Sequence, residues 1–390
     1  MTMKRNRLKR RSSLGRDAEQ LIRLATGLAS SGSIAEDRYW DGQLVEAIDH
    51  LLEEQDENAL NAALDQLASD AHGYESLADF IEFRTEFRST LDAKHDVLLV
   101  GAPILAWSHF RIPATTIPPA ILANLRAHLA AHVFAPGAKL ALADFLFSPD
   151  QLPHGYCASA TFAATLGQAA LADTNLHIES KNLPETAHFL SDTRYLLAAV
   201  AVPKGQPFFS WQEENGSRDE ALAHWRSQGG ASLVPLLPGC ATEVVLPEAY
   251  FAASRQADRE SRPYAIQASA AFLSAELETP VANLRAVIAP FHDRELEEYR
   301  IGFSRRDEDG IVHGVVWPLL GVEDESADIP GQIETVLRAC GVGEVIYLDH
   351  RFPLEFCDDC GAPMYPSAEG ETIHAEMPEG RGEEMPRHLH

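Results

Sequence analysis

The chain has 390 residues, of which 45% are apolar, and a formal net charge of -26. This length predicts two or three domains, and this apolar content excludes disorder for the chain as a whole. A body so acidic repels nucleic acid over most of its surface, so any contact with a polyanion must be local.

The N-terminus and the cysteine content bear on the compartment. No apolar segment follows the first charged residues, so we expect no secretory signal, and no apolar run approaches the roughly 18 residues that a membrane span requires. We therefore expect a cytoplasmic protein without a transmembrane segment, whose five cysteines are reduced. In that compartment a Cys-x-x-Cys pair more often binds a metal or does redox chemistry than forms a structural disulfide.

A basic segment at the N-terminus, residues 1–16, contrasts with the acidic body. It contains no acid, and its cations are Lys4, Arg5, Arg7, Lys9, Arg10, Arg11 and Arg16. Such a segment can pair with phosphates without reading bases. It predicts contact with RNA or another polyanion, an anionic lipid surface included. A solvated terminus without a partner is the alternative.

Residues 16–93 show apolar residues at helical spacing. The first stripe, with Leu21, Leu24 and Leu28, follows Asp17, which is suited to an N-cap. Three further stripes lie in residues 40–52, 60–67 and 77–91. Four amphipathic helices with short connections predict an antiparallel helical domain.

The pattern changes after Asp96, where the continuous apolar run Val97-Leu98-Leu99-Val100 predicts a buried strand. Strand and helix patterns then alternate. Residues 231–237 are predicted as a strand, and residues 247–260 and 264–277 as two helices. Alternation on both sides of Asp309-Gly310 predicts a β-hairpin.

These patterns together predict an α+β fold. A helical domain comes first and a mixed-sheet α/β body follows, for which two ferredoxin-like halves are one arrangement. A Cys-x-x-Cys knuckle ends the chain. The predicted units are residues 1–15 (basic arm), 16–93 (helical domain), 94–240 and 241–352 (α/β halves) and 353–390 (acidic tail with the knuckle).

The most specific chemistry lies in residues 356–366, here called the knuckle, where Cys357-Asp358-Asp359-Cys360 precedes Gly361. Two thiolates on such a turn form half of a tetrahedral zinc site. The candidates that could complete it are His374 and Cys340, with His350, His388 and His390 as weaker ones. The second Cys-x-x-Cys of a zinc ribbon is missing, so the ligand set stays open.

Two alternatives to zinc remain for these cysteines, a redox dithiol and a pair of free thiols. A redox pair usually follows a strand and opens a helix, and that context is not predicted here. Asp358 and Asp359 are also expected to raise the thiol pKa values, which disfavours redox chemistry.

Cys157 and His154 form the best enzymatic candidate. Cys157 precedes a predicted helix, whose N-terminal dipole favours a thiolate, and His154 could act as its base. A buried, inert cysteine is the commoner outcome. A second candidate is the loop of residues 103–113, where Trp107, His109 and Arg111 could line a pocket after the first strand.

Several stretches resemble an uncharacterised protein family known mainly from betaproteobacteria. They are Lys4-Arg5-Asn6-Arg7-Leu8, Arg16-Asp17-Ala18-Glu19-Gln20-Leu21, Gly101-Ala102-Pro103-Ile104-Leu105-Ala106-Trp107-Ser108 and the Cys357 knuckle. The similarity runs over the full length. The family has no assigned activity, so the resemblance implies neither catalytic residues nor a substrate.

The sequence thus predicts a non-catalytic, zinc-containing binding or adaptor protein whose basic arm contacts RNA or another polyanion, with a protein partner also open. The alternative is an enzyme that uses Cys157 as a thiol nucleophile, or the 103–113 loop as its active site.

Overall fold

The structure, a computed structural model, describes residues 14–108, 110–186, 189–321, 323 and 326–377. The predictions for Lys4, Arg5, Arg7, Lys9, Arg10 and Arg11, and for His109, His388 and His390, therefore lie outside the described residues.

Four helices open the described chain and pack around one apolar core. Their bounds are α1 Arg16–Ala29, α2 Ile34–Glu53, α3 Glu57–Leu67 and α4 Ala71–Glu86. The predicted stripes face inward, with Leu21, Leu44, Leu60 and Leu77 fully buried. Ser33, Asp56 and Asp70 cap α2, α3 and α4 by accepting hydrogen bonds from backbone N–H groups of the first turn.

The first sheet follows. Its strands and associated helices are β1 Phe87–Arg88, β2 His95–Trp107, β3 Thr115–Thr116, α5 Pro119–His132, β4 Lys139–Phe147, α6 Gly155–Leu171, β5 Ser191–Pro203, β6 Ala241–Val244 and β7 Glu248–Ala249. The order is β1-β2-β5-β4-β3, with β6 and β7 also along β2, and all the pairs are antiparallel.

Strands β2 and β5 pair over thirteen residues, from His95 with Pro203 to Trp107 with Ser191. Because β5 lies antiparallel between β2 and β4, those two strands are parallel and α5 connects them. This is the split β-α-β arrangement that occurs in ferredoxin-like folds. Leu98 and Val100 pack on the α5 side, and Val97 and Leu99 on the α6 side. Burial of both faces explains the continuous apolar run.

The second sheet is mixed. Its elements are β8 Leu284–His292, β9 Leu296–Arg305, β10 His313–Pro318, α10 Ile329–Ala339, β11 Glu344–Tyr347 and β12 Phe352–Pro353. The predicted hairpin is β9-β10, and β11 and β12 run parallel to β8. In the order β10-β9-β8-β11, helix α10 connects the parallel strands β10 and β11, which two strands separate instead of one, so among the described residues the single-strand split β-α-β unit is found in the first sheet. The α+β class, with helices before sheets, is confirmed.

Two predictions between the sheets were wrong. Residues 231–236 are helical, in α8 Gly230–Leu233 and the 3-10 turn Val234–Leu236. They follow α7 Arg218–His224 and a π-helical segment Trp225–Gly229. Leu233 and Leu236 are buried at helical spacing, and a short apolar run does not distinguish this from a strand. Residues 247–277 contain a single helix, α9 Tyr250–Glu276, which continues through Pro263. Ala257 before the proline and Ile266 after it are both buried, and this packing supports the helix on each side of Pro263.

Across the described ranges, no helix combines the length and the apolar character that crossing a membrane requires.

Candidate metal centre

The knuckle is a tight backbone turn. The N–H of Cys357 donates to the carbonyl of Ala362 at 2.7 Å, and the N–H of Gly361 donates to the carbonyl of Cys357 at 2.8 Å. Gly361 has φ +75°, a conformation that favours glycine. The turn therefore places both thiols on one side of a short loop.

A second hairpin brings a histidine to this loop. Strands β13 Met364–Pro366 and β14 Thr372–His374 pair antiparallel, with Met364 opposite His374. Ser367 closes the turn by donating its N–H to the carbonyl of Glu371. The histidine that follows Cys360 by fourteen positions thus returns to the cysteines.

Cys357, Cys360 and His374, here called the Cys2His group, converge on one point. Their ligand atoms all lie within 4.8 Å of one another, and Cys360 Sγ lies 3.2 Å from His374 Nε2. Ligands around tetrahedral zinc stand roughly 3.3–3.8 Å apart, given bond lengths of about 2.0–2.3 Å. The Cys2His group could therefore hold a metal ion.

The surroundings of Cys357 favour its thiolate form. The pKa of Cys357 is lowered, first by the backbone N–H of Cys360 and next by that of Asp359, which donate to the sulfur. The negative charge of Asp359 acts in the opposite direction but less strongly. The expected rise in the Cys357 pKa was therefore wrong, because the turn aims backbone donors at the thiolate.

His374 has a neighbour that suits a metal ligand. Its Nδ1 lies 3.7 Å from Oε1 of Glu376, on the ring edge away from Cys360. A carboxylate on the outer edge of the ring is a common neighbour of a ligating histidine, and at 3.7 Å it is close without forming a direct hydrogen bond. The arrangement leaves Nε2 for a metal.

Arg300 fixes the knuckle to the second sheet. Its buried guanidinium donates to the carbonyl of Glu355 at 2.5 Å, just before the knuckle, and to that of Met364 at 2.8 Å, near the end of the knuckle. It also lies over the rings of Phe291 and Phe356, 4.4 and 4.9 Å from their centroids. One side chain of β9 thus holds both ends of the loop.

Two glycines of the β9-β10 hairpin make room for β13. A Cβ on Gly302 would lie 2.5 Å from the carbonyl oxygen of Pro366, and one on Gly314 would lie 2.1 Å from the ring of Tyr365. Tyr365 is fully buried. The segment around Tyr365 and Pro366 therefore packs on the second sheet, although this part of the chain is rich in acidic residues.

The other predicted ligands lie elsewhere. Cys340 follows α10 and packs against the core of the second sheet, and burial raises its pKa. The ring of His350 lies 4.1 Å from that of Phe352. Among the described residues, the structure brings only His374 to the two cysteines.

Cys157 and His154 are not arranged as a nucleophile and its base. Cys157 is 4% exposed in the first turn of α6, and the carboxylate of Glu57 accepts its N–H at 2.8 Å and that of Tyr156 at 3.0 Å. Burial, and secondarily Glu57, raises the pKa of Cys157 to about 12. His154 is exposed, with Nε2 3.0 Å from the carbonyl of Asp150.

The predicted loop of residues 103–113 is a strand as far as Trp107, which ends β2, and the two described pocket candidates, Trp107 and Arg111, lie at different cavities. Trp107 lines a cavity of about 410 Å³ between β5, α9 and β10. Arg111 lines a separate, more open one and bonds to the Thr186 hydroxyl at 2.8 Å. The structure does not bring Trp107 and Arg111 into one pocket.

Sequence reasoning missed the residues that support the centre. Arg300 is a cation in the middle of a predicted strand, and its neighbours on that strand are buried. A charged side chain is seldom buried unless it is paired, so the position of Arg300 was the available signal. The steric role of Gly314 left no signal, because it depends on a contact with Tyr365, 51 positions away.

Fold and site together define an α+β protein whose described residues form a seven-stranded sheet, a five-stranded sheet and a C-terminal Cys2His group beside a short hairpin. The chain belongs to the family described as protein of unknown function (DUF2863), whose model matches residues 6–388. The predicted resemblance to a family without assigned activity is confirmed. No curated protein and no solved structure matches the chain significantly.

Proposed function

We propose that this is a non-catalytic, zinc-containing binding protein in which Cys357, Cys360 and His374 hold Zn²⁺. The observation that carries the proposal is the convergence of two thiols and one imidazole within 4.8 Å. Soft thiolates combined with imidazole favour zinc over magnesium or calcium, which prefer oxygen ligands.

The ion would act mainly on structure. It would join the knuckle to β14, two segments that backbone hydrogen bonds already place side by side on the second sheet. Three protein ligands leave one coordination position for water or for a group from a partner, and all three are half-buried rather than enclosed. This is consistent with an adaptor whose zinc-stabilised surface meets another molecule.

The proposed partner of the basic arm is RNA or another polyanion. Support comes from the sequence, in which seven cations and no acid occupy residues 1–16 of a strongly acidic chain. Binding should weaken steeply with salt, because each phosphate contact releases counterions. Deletion of residues 1–16 should abolish salt-sensitive binding to a single-stranded RNA probe, and binding that survives this deletion would contradict the assignment.

Metal analysis tests the zinc site. Wild-type protein, loaded with Zn²⁺ under reducing conditions and dialysed, should retain about one ion per chain, as expected for a single site. Cys357→Ser should retain almost none. Cys340→Ser is the matched control, since this half-buried cysteine lies outside the Cys2His group, and it should retain the wild-type amount. Equal zinc in Cys357→Ser and wild type would overturn the proposal.

An enzyme that uses Cys157 has less support. A thiol with a pKa of about 12 is protonated at neutral pH, and its helix N-terminus already binds the carboxylate of Glu57. A thiolate nucleophile requires the opposite shift.

A further inference from the structure

The two cysteines of the knuckle are close enough to react with each other. Their sulfur atoms lie within 4.8 Å of one another. The turn that joins them keeps the first and fourth Cα atoms within about 7 Å, and disulfides usually span about 4.4–6.8 Å between Cα atoms. The backbone of the knuckle is therefore compatible with a disulfide between Cys357 and Cys360.

An oxidant can reach this pair from solvent. Cys357 and Cys360 are both half-buried, whereas Cys157 is 4% exposed and packs in the helical core. The backbone N–H groups of Cys360 and Asp359 also donate to the Cys357 sulfur, and such donors stabilise the thiolate, which is the form that attacks an oxidant. We therefore expect Cys357 to react first.

The proposed zinc ion leaves both sulfurs reactive. Zinc holds cysteines as thiolates, so the reactive form is present whenever the site is loaded. The Cys2His group supplies three ligands, which leaves the fourth position around a tetrahedral ion for a small neutral molecule. A peroxide is small and neutral, and it can approach the sulfurs from this side.

Given the zinc site proposed above, on which this inference rests, we propose that a peroxide oxidises Cys357 and Cys360 to a disulfide and thereby releases the ion. The knuckle is then a peroxide-sensitive switch. Oxidation removes two of the three protein ligands and leaves His374 alone. A single imidazole does not retain the ion, because structural zinc sites depend on four ligands.

The reaction with hydrogen peroxide balances in two steps. The Cys357 sulfur attacks one peroxide oxygen, so an S–O bond forms, the O–O bond breaks and hydroxide leaves. The Cys360 thiolate then attacks the Cys357 sulfur, so the S–S bond forms and a second hydroxide leaves. Each sulfur loses one electron and the peroxide gains two. Both hydroxides take up protons from the buffer and become water.

The fold around the knuckle does not depend on the reduced thiols. Arg300 donates to the carbonyls of Glu355 and Met364, and neither bond involves a sulfur or the ion. Strands β13 and β14 are likewise paired through the backbone. Oxidation therefore frees His374 from the knuckle and changes this half-buried surface without unfolding it. A thiol reductant with added zinc should restore the site.

Zinc release and peptide mass spectrometry on the same samples test the proposal. Zinc-loaded wild type in excess hydrogen peroxide should lose its zinc to a chromogenic indicator and gain about one disulfide between Cys357 and Cys360 per ion released. Dithiothreitol followed by Zn²⁺ should restore the reduced, loaded chain. Cys340→Ser is the matched control, since Cys340 lies outside the Cys2His group, and it should respond as the wild type does.

Cys360→Ser separates the two chemical steps, because it keeps Cys357 but lacks the second sulfur. In metal-free protein treated with peroxide, dimedone should trap the Cys357 sulfenic acid at least about tenfold more in this variant than in wild type. Thermal melting confirms that the variant is folded, and the wild-type measurements do not depend on it.

Three results would overturn the proposal: zinc that stays bound in peroxide, zinc that is lost without the disulfide, or equal dimedone labelling of Cys357 in the two metal-free chains. A wild-type chain that holds no zinc before peroxide is added would contradict the zinc site itself. The failure of the switch and the failure of the proposed function are therefore distinguishable.

Discussion

Two cysteines of this protein, Cys357 and Cys157, have pKa values shifted in opposite directions. In the knuckle, the N–H groups of Cys360 and Asp359 point at the Cys357 sulfur and lower its pKa. In the first turn of α6, the N–H groups of Tyr156 and Cys157 donate to Glu57, and burial, with a smaller contribution from Glu57, raises the pKa of Cys157. Position at a helix N-terminus is therefore insufficient for an activated thiol, because a carboxylate can take the same donors.

The largest expected effect is loss of metal from the knuckle. A chelator such as EDTA, added under reducing conditions to the zinc-loaded chain, should remove the constraint between Cys357, Cys360 and His374. Hydrogen exchange in residues 355–376 should then accelerate, and the melting temperature should fall by about 5 °C or more. Chelator should change nothing in Cys360→Ser, which lacks the site. Equal exchange with and without metal would show that the knuckle needs no ion.

Thiol labelling compares the two regions directly. In metal-free, folded protein at pH 7.5, iodoacetamide should modify Cys357 at least about 100-fold faster than Cys157, since the thiolate is the reactive form and Cys157 is both protonated and buried. Peptide mass spectrometry separates the two sites in one sample. Cys340, half-buried with a raised pKa, is the internal reference and should react at an intermediate rate. Labelling of Cys157 ahead of Cys340 would restore the thiol-enzyme alternative.

The space that Gly314 leaves for the Tyr365 ring should determine how stably the knuckle packs on the second sheet. Gly314→Ala puts a methyl group 2.1 Å from the buried ring, so β13 must shift, and we expect a loss of about 2 kcal/mol in the free energy of unfolding. Gly310→Ala, in the turn of the same hairpin with nothing within 4 Å, should cost much less. Urea denaturation followed by circular dichroism measures both. Equal stability of the two variants would mean that the hairpin tolerates displacement of β13.

How far the sequence could predict this site depends on the separation of the interacting residues. Cys357, Cys360 and Gly361 are neighbours, so their spacing alone indicated the turn, and His374 is close enough to return by one hairpin. Burial is the main cause of the raised pKa of Cys157, and Glu57, one hundred positions earlier, adds to it through a contact that no local pattern indicates. The helices and the β9-β10 hairpin were predictable from periodicity, whereas residues 231–237 were not, because short apolar runs fit both structures.

The N-terminus of α9 also has a carboxylate, Glu86, and it can be compared with Glu57 at the N-terminus of α6. Glu86 accepts the N–H of Phe251 at 3.0 Å in the first turn of α9, as Glu57 does for α6. Burial nevertheless raises the pKa of Glu86 from 4.5 to about 7, because desolvation exceeds the stabilisation from that N–H. Desolvation thus opposes the charge of a carboxylate here as it opposes the Cys157 thiolate.

The pH dependence of stability tests this balance and should show the smallest effect. The folded state binds the Glu86 proton more tightly than the unfolded state, so the contribution of Glu86 to stability is greatest below pH 4.5 and is lost as pH rises through about 7. Glu86→Gln, which can still accept from Phe251, should match the wild type near pH 4.5 and exceed it by about 1–2 kcal/mol at pH 8, after allowance for partial exposure.

Urea denaturation of both proteins at pH 4.5, 6 and 8 measures this difference. Glu75→Gln, at an exposed position of the same helix α4, should show no pH-dependent difference from wild type. A constant difference between Glu86→Gln and wild type at all three pH values would mean that Glu86 is ionised throughout. In that case the hydrogen bond from the Phe251 N–H would lower the pKa of Glu86 more than burial raises it. A carboxylate at a helix N-terminus would then stay charged where the Cys157 thiol stays neutral.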